Sequence, residues 1–199
     1  MKINFTKKIL LFFISLFLYS CCKELRFNES ETYWTDVYKK GDVITFKSNI
    51  FSTKNELLSQ IDTIFILNKT ENKPTGNCNF MVSNYDVEGC IIDYNYKHDS
   101  TLSEPNLFVQ HFKENKGESL PVLRVYDMEF SRGKLKDTTV VLNTTGAKLT
   151  DCYTFHSKDV YKGWSVFKLK TFVWSKKMGL VMYIGENGQK FEYVEKISK

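Results

Sequence analysis

Short apolar runs with a period of two recur along most of this chain, and they constrain its fold more than any other feature. In residues 90–96, Ile92, Tyr94 and Tyr96 alternate with polar residues. Such alternation predicts strands with one buried and one solvated face. Comparable runs lie at 43–48, 62–67, 79–85, 107–112, 121–130, 138–142, 152–155, 166–174, 179–184 and 190–194. About eleven short strands predict an all-β fold, either an antiparallel β-sandwich or a partly open β-barrel.

Turn residues separate these runs, and few segments favour a helix. Residues 185–188, Gly-Glu-Asn-Gly, lie between two apolar runs and predict a hairpin, because Asn and Gly tolerate a positive φ. A second turn is predicted over residues 39–42. The strongest helix candidate is KNELLSQI at 54–61, which makes barely two turns.

The N-terminus has the three parts of a secretion signal. Three lysines within residues 1–8 form a positive region, residues 9–18 are apolar except for Ser15, and residues 19–20 form a short exit. A membrane-spanning helix needs about 20 apolar residues, and this run is roughly half as long. Residues 1–20 are therefore predicted to be a signal peptide.

The exit of this signal, Leu18-Tyr19-Ser20-Cys21, resembles the lipobox of bacterial lipoproteins. The resemblance implies that a diacylglycerol is attached to the Cys21 thiol, that a signal peptidase cuts before Cys21, and that the new amine is acylated as well. Two or three chains such as palmitate anchor a protein stably, since each buried methylene contributes about 0.8 kcal/mol. A frame with Cys22 as the acceptor fits less well, so Cys21 is the predicted lipidation site.

Both ends of the remaining chain are similar to those of small envelope lipoproteins from Gram-negative bacteria. The similarity rests on YWTDVYKKGDVITFKSN at 33–49 and FVWSKKMGLVMYIGENGQKFEYV at 172–194. It implies an anchored all-β domain and brings no catalytic residue. Lipoproteins retained at the inner membrane commonly have Asp after the lipidated cysteine, whereas this chain has Cys22. The implied location is the outer membrane, at its periplasmic face or on the cell surface.

The predicted organisation is a signal peptide over 1–20, a lipidated N-terminus and flexible tether over 21–32, and a single all-β domain over 33–199. The tether is predicted because residues 22–32 are polar and lack a repeating apolar pattern. Removal of the signal peptide takes away three lysines and no acid, which lowers the formal net charge from +5 to +2. The remaining basic residues are interspersed with acidic ones, whereas a nucleic-acid surface needs them clustered. Nucleic acid is therefore not an expected partner.

Four cysteines lie beyond Cys21, at positions 22, 78, 90 and 152. An envelope is oxidising, so disulfides are compatible with it. Cys78 and Cys90 are the candidate disulfide pair, and closing a loop of about a dozen residues would contribute on the order of 3 kcal/mol. The alternative is that both are small buried apolar side chains. Cys22 and Cys152 have no evident partner except each other.

Side chains with catalytic potential form no recognised constellation. Three residues of the types that form a nucleophilic triad are adjacent in the sequence: His98, Asp99 and Ser100. Neighbouring residues of an extended segment point to opposite sides, so a polar turn is the better interpretation. Asp127 and Glu129, which would share one face of a strand, and Asp86 and Glu88 are acidic pairs of the kind that glycosidases use, but such pairs are inevitable among 23 acids. No catalytic residue is predicted.

The sequence also predicts no metal and no cofactor. His98, His111 and His156 are far apart, and the close CxxC or HxxxH pairs of structural zinc sites do not occur. No phosphate-binding glycine loop or dinucleotide fingerprint occurs either. His111 lies in an alternating strand and is expected to be half-buried with a hydrogen-bond partner.

Aromatic residues, at 15 % of the chain, are the compositional feature that favours binding. An exposed patch could be formed by Tyr33, Trp34 and Tyr38, with Trp164 in a predicted loop, although strands also favour aromatic residues in a core. The sequence thus predicts a membrane-anchored envelope lipoprotein whose non-catalytic all-β domain binds or supports a protein, a glycan or an apolar ligand. The alternatives are a periplasmic carrier that encloses a lipid or another apolar ligand and, less favoured, a hydrolase whose residues converge from separate strands.

Overall fold

A computed structural model describes residues 23–51, 57–75, 85–96, 106–115, 119–131, 134–163 and 168–198. Within these ranges there is one helix, α1 (Glu29–Asp36). The strands are β1 (Lys23–Leu25), β2 (Val43–Phe51), β3 (Leu57–Asn72), β4 (Tyr85–Val87), β5 (Gly89–Tyr96), β6 (Asn106–Phe112), β7 (Val122–Val125), β8 (Met128–Phe130), β9 (Asp137–Val141), β10 (Lys148–His156), β11 (Tyr161–Lys162), β12 (Leu169–Ser175), β13 (Gly179–Gly185) and β14 (Lys190–Ile197).

Twelve of these strands form one sheet, in the order β11-β8-β7-β6-β5-β3-β2-β14-β13-β12-β10-β9. Every neighbouring pair in it is antiparallel. β1 and β4 form a separate parallel pair. The predicted all-β, antiparallel fold is therefore confirmed.

The large sheet is curled, so that its two ends approach each other. β8 and β10 stand near opposite ends of the strand order, yet the ring centroids of Phe130 and Phe155 are 4.8 Å apart. Leu169 of β12 also donates its backbone N–H to the Asp127 carboxylate, in the turn before β8, at 2.7 Å. The sheet is a half-barrel, and we call the line along which β8 meets β10 the seam.

A second, smaller apolar cluster lies on the opposite face of the sheet. Cys152, Val173 and Val181 are buried there, apart from the main core. The hairpin of β9 and β10 bends over them, helped by an irregularity in register between Leu149 and Cys152. Backbone N–H groups at the tip of this hairpin bind the Glu192 carboxylate of β14. The half-barrel thus has two layers at this corner.

The hairpin predicted from residues 185–188 is confirmed. β13 and β14 pair on either side of it, and the Gly185 N–H donates to the Gln189 carbonyl at 2.9 Å. Gly188 has a φ of 82°, a conformation that costs glycine little.

The helix predicted over 54–61 is wrong for residues 57–61, which belong to β3, while residues 52–56 lie outside the described ranges. These residues continue the antiparallel ladder with β2, in which Ile61 faces Lys47 and Leu57 faces Phe51. A two-turn helix is marginal by itself. The strand is preferred because the long β2–β3 ladder gives the same backbone groups interstrand partners.

The single strand predicted over 121–130 is in fact two strands, β7 and β8, joined by a tight turn at residues 126–127. Tyr126 has a φ of 52° in this turn, a conformation that is uncommon for a residue other than glycine. Its hydroxyl donates to the Asp62 carboxylate. The turn therefore depends on a contact distant in sequence, which the local sequence does not show.

Residues 21–32 were expected to form a lipidated N-terminus and flexible tether, but within the described part residues 23–25 form a strand and residues 29–32 begin a helix. β1 pairs with β4, and α1 follows after three residues. The Glu31 carboxylate accepts the Asn28 N–H at 2.9 Å, closing the first turn of the helix. An Asn followed three residues later by Glu is a known helix-start signal. The polar composition of the segment obscured it.

Candidate functional site

The concave face of the half-barrel is filled by aromatic side chains. Trp34 of α1 and Tyr38 just after it enter the core, where they contact Phe108 and Trp174. The ring centroids of Tyr38 and Phe108 are 5.3 Å apart, and those of Phe108 and Trp174 are 5.4 Å apart. All four side chains are completely buried. The exposed aromatic patch is therefore wrong for Trp34 and Tyr38, while Trp164 lies outside the described residues.

A carboxylate lies inside this interior with its oxygens occupied. The Tyr126 and Tyr183 hydroxyls both donate to Asp62 Oδ2, and the Thr63 N–H donates to Oδ1 at 2.8 Å. Burial raises the pKa of Tyr126, and the nearby Tyr183 and Asp62 raise it further. This phenol therefore keeps its proton and remains a donor. The cluster ties β3 to β13 and to the turn between β7 and β8. Asp62 is two residues from Ile64, so the strand pattern puts both on the inward face, and this was the sequence signal that could have revealed the cluster.

A second buried acid fastens the N-terminal segment to the sheet. Glu31 is completely buried; its Oε1 accepts a hydrogen bond from Lys113 Nζ at 2.7 Å and another from the Ser119 N–H at 2.8 Å. Burial raises the pKa of Glu31, but the hydrogen bonds from Asn28, Lys113 and Ser119 outweigh it and lower the pKa to about 2. Glu31 is thus ionised at neutral pH, as the counter-ion of Lys113.

Phe27 extends this attachment. Its ring stacks on His111 with centroids 4.2 Å apart, and its N–H donates to the Glu88 carboxylate at 2.7 Å. His111 Nε2 is 2.9 Å from the Ser119 carbonyl, which can only accept, so this nitrogen carries the proton. Burial lowers the pKa of His111 and keeps it neutral. The predicted hydrogen-bond partner of His111 is confirmed, although the residue is fully rather than half buried.

A cleft of about 440 Å³ lies along the seam. Small-molecule sites typically have volumes of about 300 to 1,000 Å³. The cleft is lined by Phe130, Lys134, Leu135, Lys136, Thr154, Phe155, His156, Asp159 and Val160. The residues therefore come from β8, from β10 and from the two segments that follow these strands.

The floor of this seam cleft is apolar and its rim is mainly cationic. Phe130 and Phe155 are buried, and Leu135 and Val160 pack against the main core. Lys134 and Lys136 are exposed, and neither lies within 4.0 Å of an acidic group in the part of the chain that the structure describes. One acid, Asp159, is also in the lining. The lining therefore has a formal excess of positive charge.

The walls of the seam cleft are held by main-chain and side-chain bonds. The Thr154 N–H donates to the Lys136 carbonyl at 3.3 Å, which holds the lysine-bearing segment against β10. His156 Nδ1 is 3.1 Å from the Thr171 hydroxyl. Among the described residues, the lining offers a histidine and a threonine but neither serine nor cysteine. This arrangement is suited to holding a ligand by apolar contact and charge.

A second, shallower depression of about 620 Å³ is lined by Gln110, Phe112, Lys113, Glu114, Leu120, Val122 and Ser131. Its lysine differs from those of the seam cleft, because Lys113 already pairs with Glu31. Phe112 is 41 % exposed in it. The depression thus offers a more open surface with its lysine already paired.

The structure does not test the predicted lipidation site or the predicted disulfide. Cys21, Cys22 and Cys78 lie outside the described residues, so both stay predictions. Cys90 and Cys152 are buried, and neither is bonded to another described cysteine. Burial raises the pKa of both thiols, that of Cys152 to about 11 with help from Asp151.

The acids and histidines singled out in the sequence are dispersed. Asp127 lies in a turn and binds the Leu169 N–H, while Glu129 pairs with Arg124 on the neighbouring strand. Asp127 and Glu129 therefore do not share a strand face as expected. Residues 97–100, with His98, lie outside the described ranges. Among described residues, no group of three His, Cys, Asp or Glu side chains is arranged to hold a metal ion.

Comparison with protein-family models, with curated proteins and with solved structures finds no match to this chain. Across residues 23–198, apart from the gaps given above, no helix is long and apolar enough to span a bilayer.

Proposed function

We propose that this chain is a lipid-anchored protein of the cell envelope whose all-β domain binds a small ligand in the seam cleft. The observation that carries the binding role is the contrast between a filled interior and an open, apolar-floored cleft whose two lysines lack acidic partners among the described residues. Small-molecule sites commonly combine an apolar lining with a few polar groups. The domain then acts by binding, and the anchor fixes where it binds.

Anchoring through Cys21 is supported by the leader and by the lipobox-like Leu18-Tyr19-Ser20-Cys21. The first described strand, β1, begins at Lys23, so Cys22 alone lies between the acylated residue and this strand. An extended chain covers at most about 3.6 Å per residue. The domain is therefore held close against the outer membrane, on its periplasmic face or on the cell surface.

A carrier that encloses its ligand within the sheet is less well supported. Trp34, Tyr38, Phe108 and Trp174 occupy the space that such a ligand would need, and each is completely buried. A ligand would have to displace packed rings, at a cost of several kcal/mol for each large side chain removed from its site. The seam offers space without this cost.

Metabolic labelling with radioactive palmitate tests the anchor. We expect label in the wild-type chain and in Cys22→Ala, and none in Cys21→Ala. Label that enters Cys21→Ala as strongly as the wild type would contradict the proposed acceptor. Absence of label from the wild type would contradict lipidation itself.

Native mass spectrometry tests the binding role independently of the anchor. The Cys21→Ala chain, incubated with an envelope extract and repurified, is expected to retain a small molecule at one copy per chain. The matched variant Val160→Trp, which fills the seam cleft, is expected to lose it. Retention by both proteins would place the ligand elsewhere, and retention by neither would contradict a binding function.

A further inference from the structure

We infer that the seam cleft takes a small amphipathic anion, that is, a molecule with one apolar chain or ring and one carboxylate or phosphate at its end. The inference rests on the proposed ligand-binding function and goes beyond it by naming the class of ligand. Two independent features of the cleft carry it, the apolar floor and the unbalanced charge of the rim.

The floor selects an apolar body. Phe130 and Phe155 meet there with ring centroids 4.8 Å apart, and Leu135 and Val160 flank them while keeping part of their surface exposed. Covering this surface is favourable by about 25 cal/mol for each Å² removed from water. A fully polar ligand such as a free inorganic ion would leave it uncovered.

The rim selects a negative end. Other lysines near acids are already neutralised: Lys113 by Glu31, Lys162 by Glu186 and Lys190 by Glu192. Lys134 and Lys136, like other exposed lysines such as Lys148, have no described acid within 4.0 Å, but these two line the cleft. An ammonium beside apolar surface interacts more strongly with an anion than one in open water does. An anionic head between these two lysines is thus the complementary group.

The rim is also preorganised. The Lys136 carbonyl accepts the Thr154 N–H, and β9 starts at Asp137, which pairs with Tyr153 of β10. The backbone at Lys136, two residues from Lys134, is therefore bonded to β10 before any ligand arrives. Less ordering is needed on binding, which favours affinity.

Four probes with an alkyl chain of seven or eight carbons and different head groups test the inference on the full chain with Cys21→Ala. Calorimetric titration with octanoate and octyl phosphate separates a carboxylate from a phosphate as the preferred anion. Octanol supplies the same tail without charge, and octyltrimethylammonium supplies it with the opposite charge. We expect at least one anion to bind at least about tenfold more tightly than octanol, the gain of one charge-assisted hydrogen bond, and the cation to bind most weakly.

Paired variants assign the selectivity to the rim. Lys134→Gln with Lys136→Gln should weaken binding of the anion by at least about tenfold and leave octanol unchanged. Lys148→Gln is the matched control. Lys148 is an exposed lysine on β10, the strand that contributes Thr154 to the cleft, but it lies six residues from Thr154 and thus roughly 20 Å from the cleft. Lys134→Glu with Lys136→Glu should reverse the order, so that octyltrimethylammonium binds better than octanoate. A reversed preference requires a folded protein, which removes misfolding as an explanation.

Equal affinity for octanoate, octyl phosphate and octanol would overturn the inference while leaving a ligand-binding cleft in place. Anion binding that the double Gln variant keeps would also overturn it. If none of the four probes binds and native mass spectrometry finds no retained molecule, the proposed function is overturned as well.

Discussion

The interior of the half-barrel and its seam both combine apolar with charged side chains, but they differ in whether the charged groups have partners. In the interior, the Asp62 carboxylate is shared between two tyrosine hydroxyls, and the buried Glu31 is paired with Lys113. At the seam, Lys134 and Lys136 have no acidic partner among the described residues. A buried charge without a partner is costly, whereas an exposed one is not. The carboxylates of the interior therefore have partners within the fold, whereas the two seam lysines keep charges that no described acid balances, as the proposed anion site requires.

The largest expected loss of stability comes from removing a packed ring of the interior. Trp34→Ala should lower the free energy of unfolding by about 4 kcal/mol, because it leaves a cavity among buried rings. Leu135→Ala, in the lining of the seam cleft, should cost only about 1 kcal/mol, since its side chain is partly exposed. Urea unfolding of both variants measures the difference. Similar costs at the two positions would mean that the interior is not packed as described.

Glu31→Gln should remove a stabilisation that depends on pH. The folded-state pKa of Glu31 is about 2, below the ordinary value of 4.5, so its contribution is complete above about pH 4.5 and disappears as the pH falls through 2. The shift corresponds to about 3 kcal/mol. Urea unfolding at pH 7 and at pH 2.5 should therefore show a large gap between wild type and Glu31→Gln at pH 7 and a much smaller one at pH 2.5.

Glu24→Gln is the control for this pH experiment. Glu24 belongs to the same N-terminal segment, but it is exposed and pairs with the exposed Arg26. We expect its curve to follow that of the wild type at both pH values. A gap between wild type and Glu31→Gln that does not shrink on acidification would contradict the ionised, buried pair of Glu31 and Lys113.

Two glycines with nearly equal positive φ angles separate a packed position from an open one. Gly179 and Gly188 have φ values of 78° and 82°, so an alanine at either position is strained by about 1 kcal/mol. A Cβ at Gly179 would lie 2.0 Å from the Tyr38 hydroxyl, whereas one at Gly188 meets nothing within 4 Å. Gly179→Ala should therefore cost about 2 kcal/mol more than Gly188→Ala, the additional cost of overpacking. Equal melting temperatures would show that Tyr38 is not packed against β13.

The fold class was predictable from the sequence because alternation is a local property. The runs at 43–48 and 90–96 lie within β2 and β5, and the hairpin at 185–188 follows from its own residues. Two features were missed because partners elsewhere in the chain decide them: the turn at Tyr126 depends on Asp62, and the strand at 57–61 depends on β2. A third, α1, was missed although its capping signal is local, because the polarity of the segment suggested a tether.

The candidate site was less predictable than the fold. Its lining joins β8 with β10 and with the segments after them, which approach only because the sheet curls. In the sequence, Lys134 and Lys136 look like any exposed lysines. The residues that stood out, Trp34 and His111, were conspicuous for packing reasons and are buried in the structure.

The most direct test of the account is where a ligand contacts the protein. Methyl resonances of the full-length Cys21→Ala chain can be followed by NMR during titration with octanoate and octyl phosphate. We expect those of Leu135 and Val160, at the seam, to shift in a saturable way, and those of Val125 and Leu180, in the filled interior, to stay unchanged. Shifts centred on Val125 and Leu180 with none at the seam would contradict the account and favour a carrier that opens its interior.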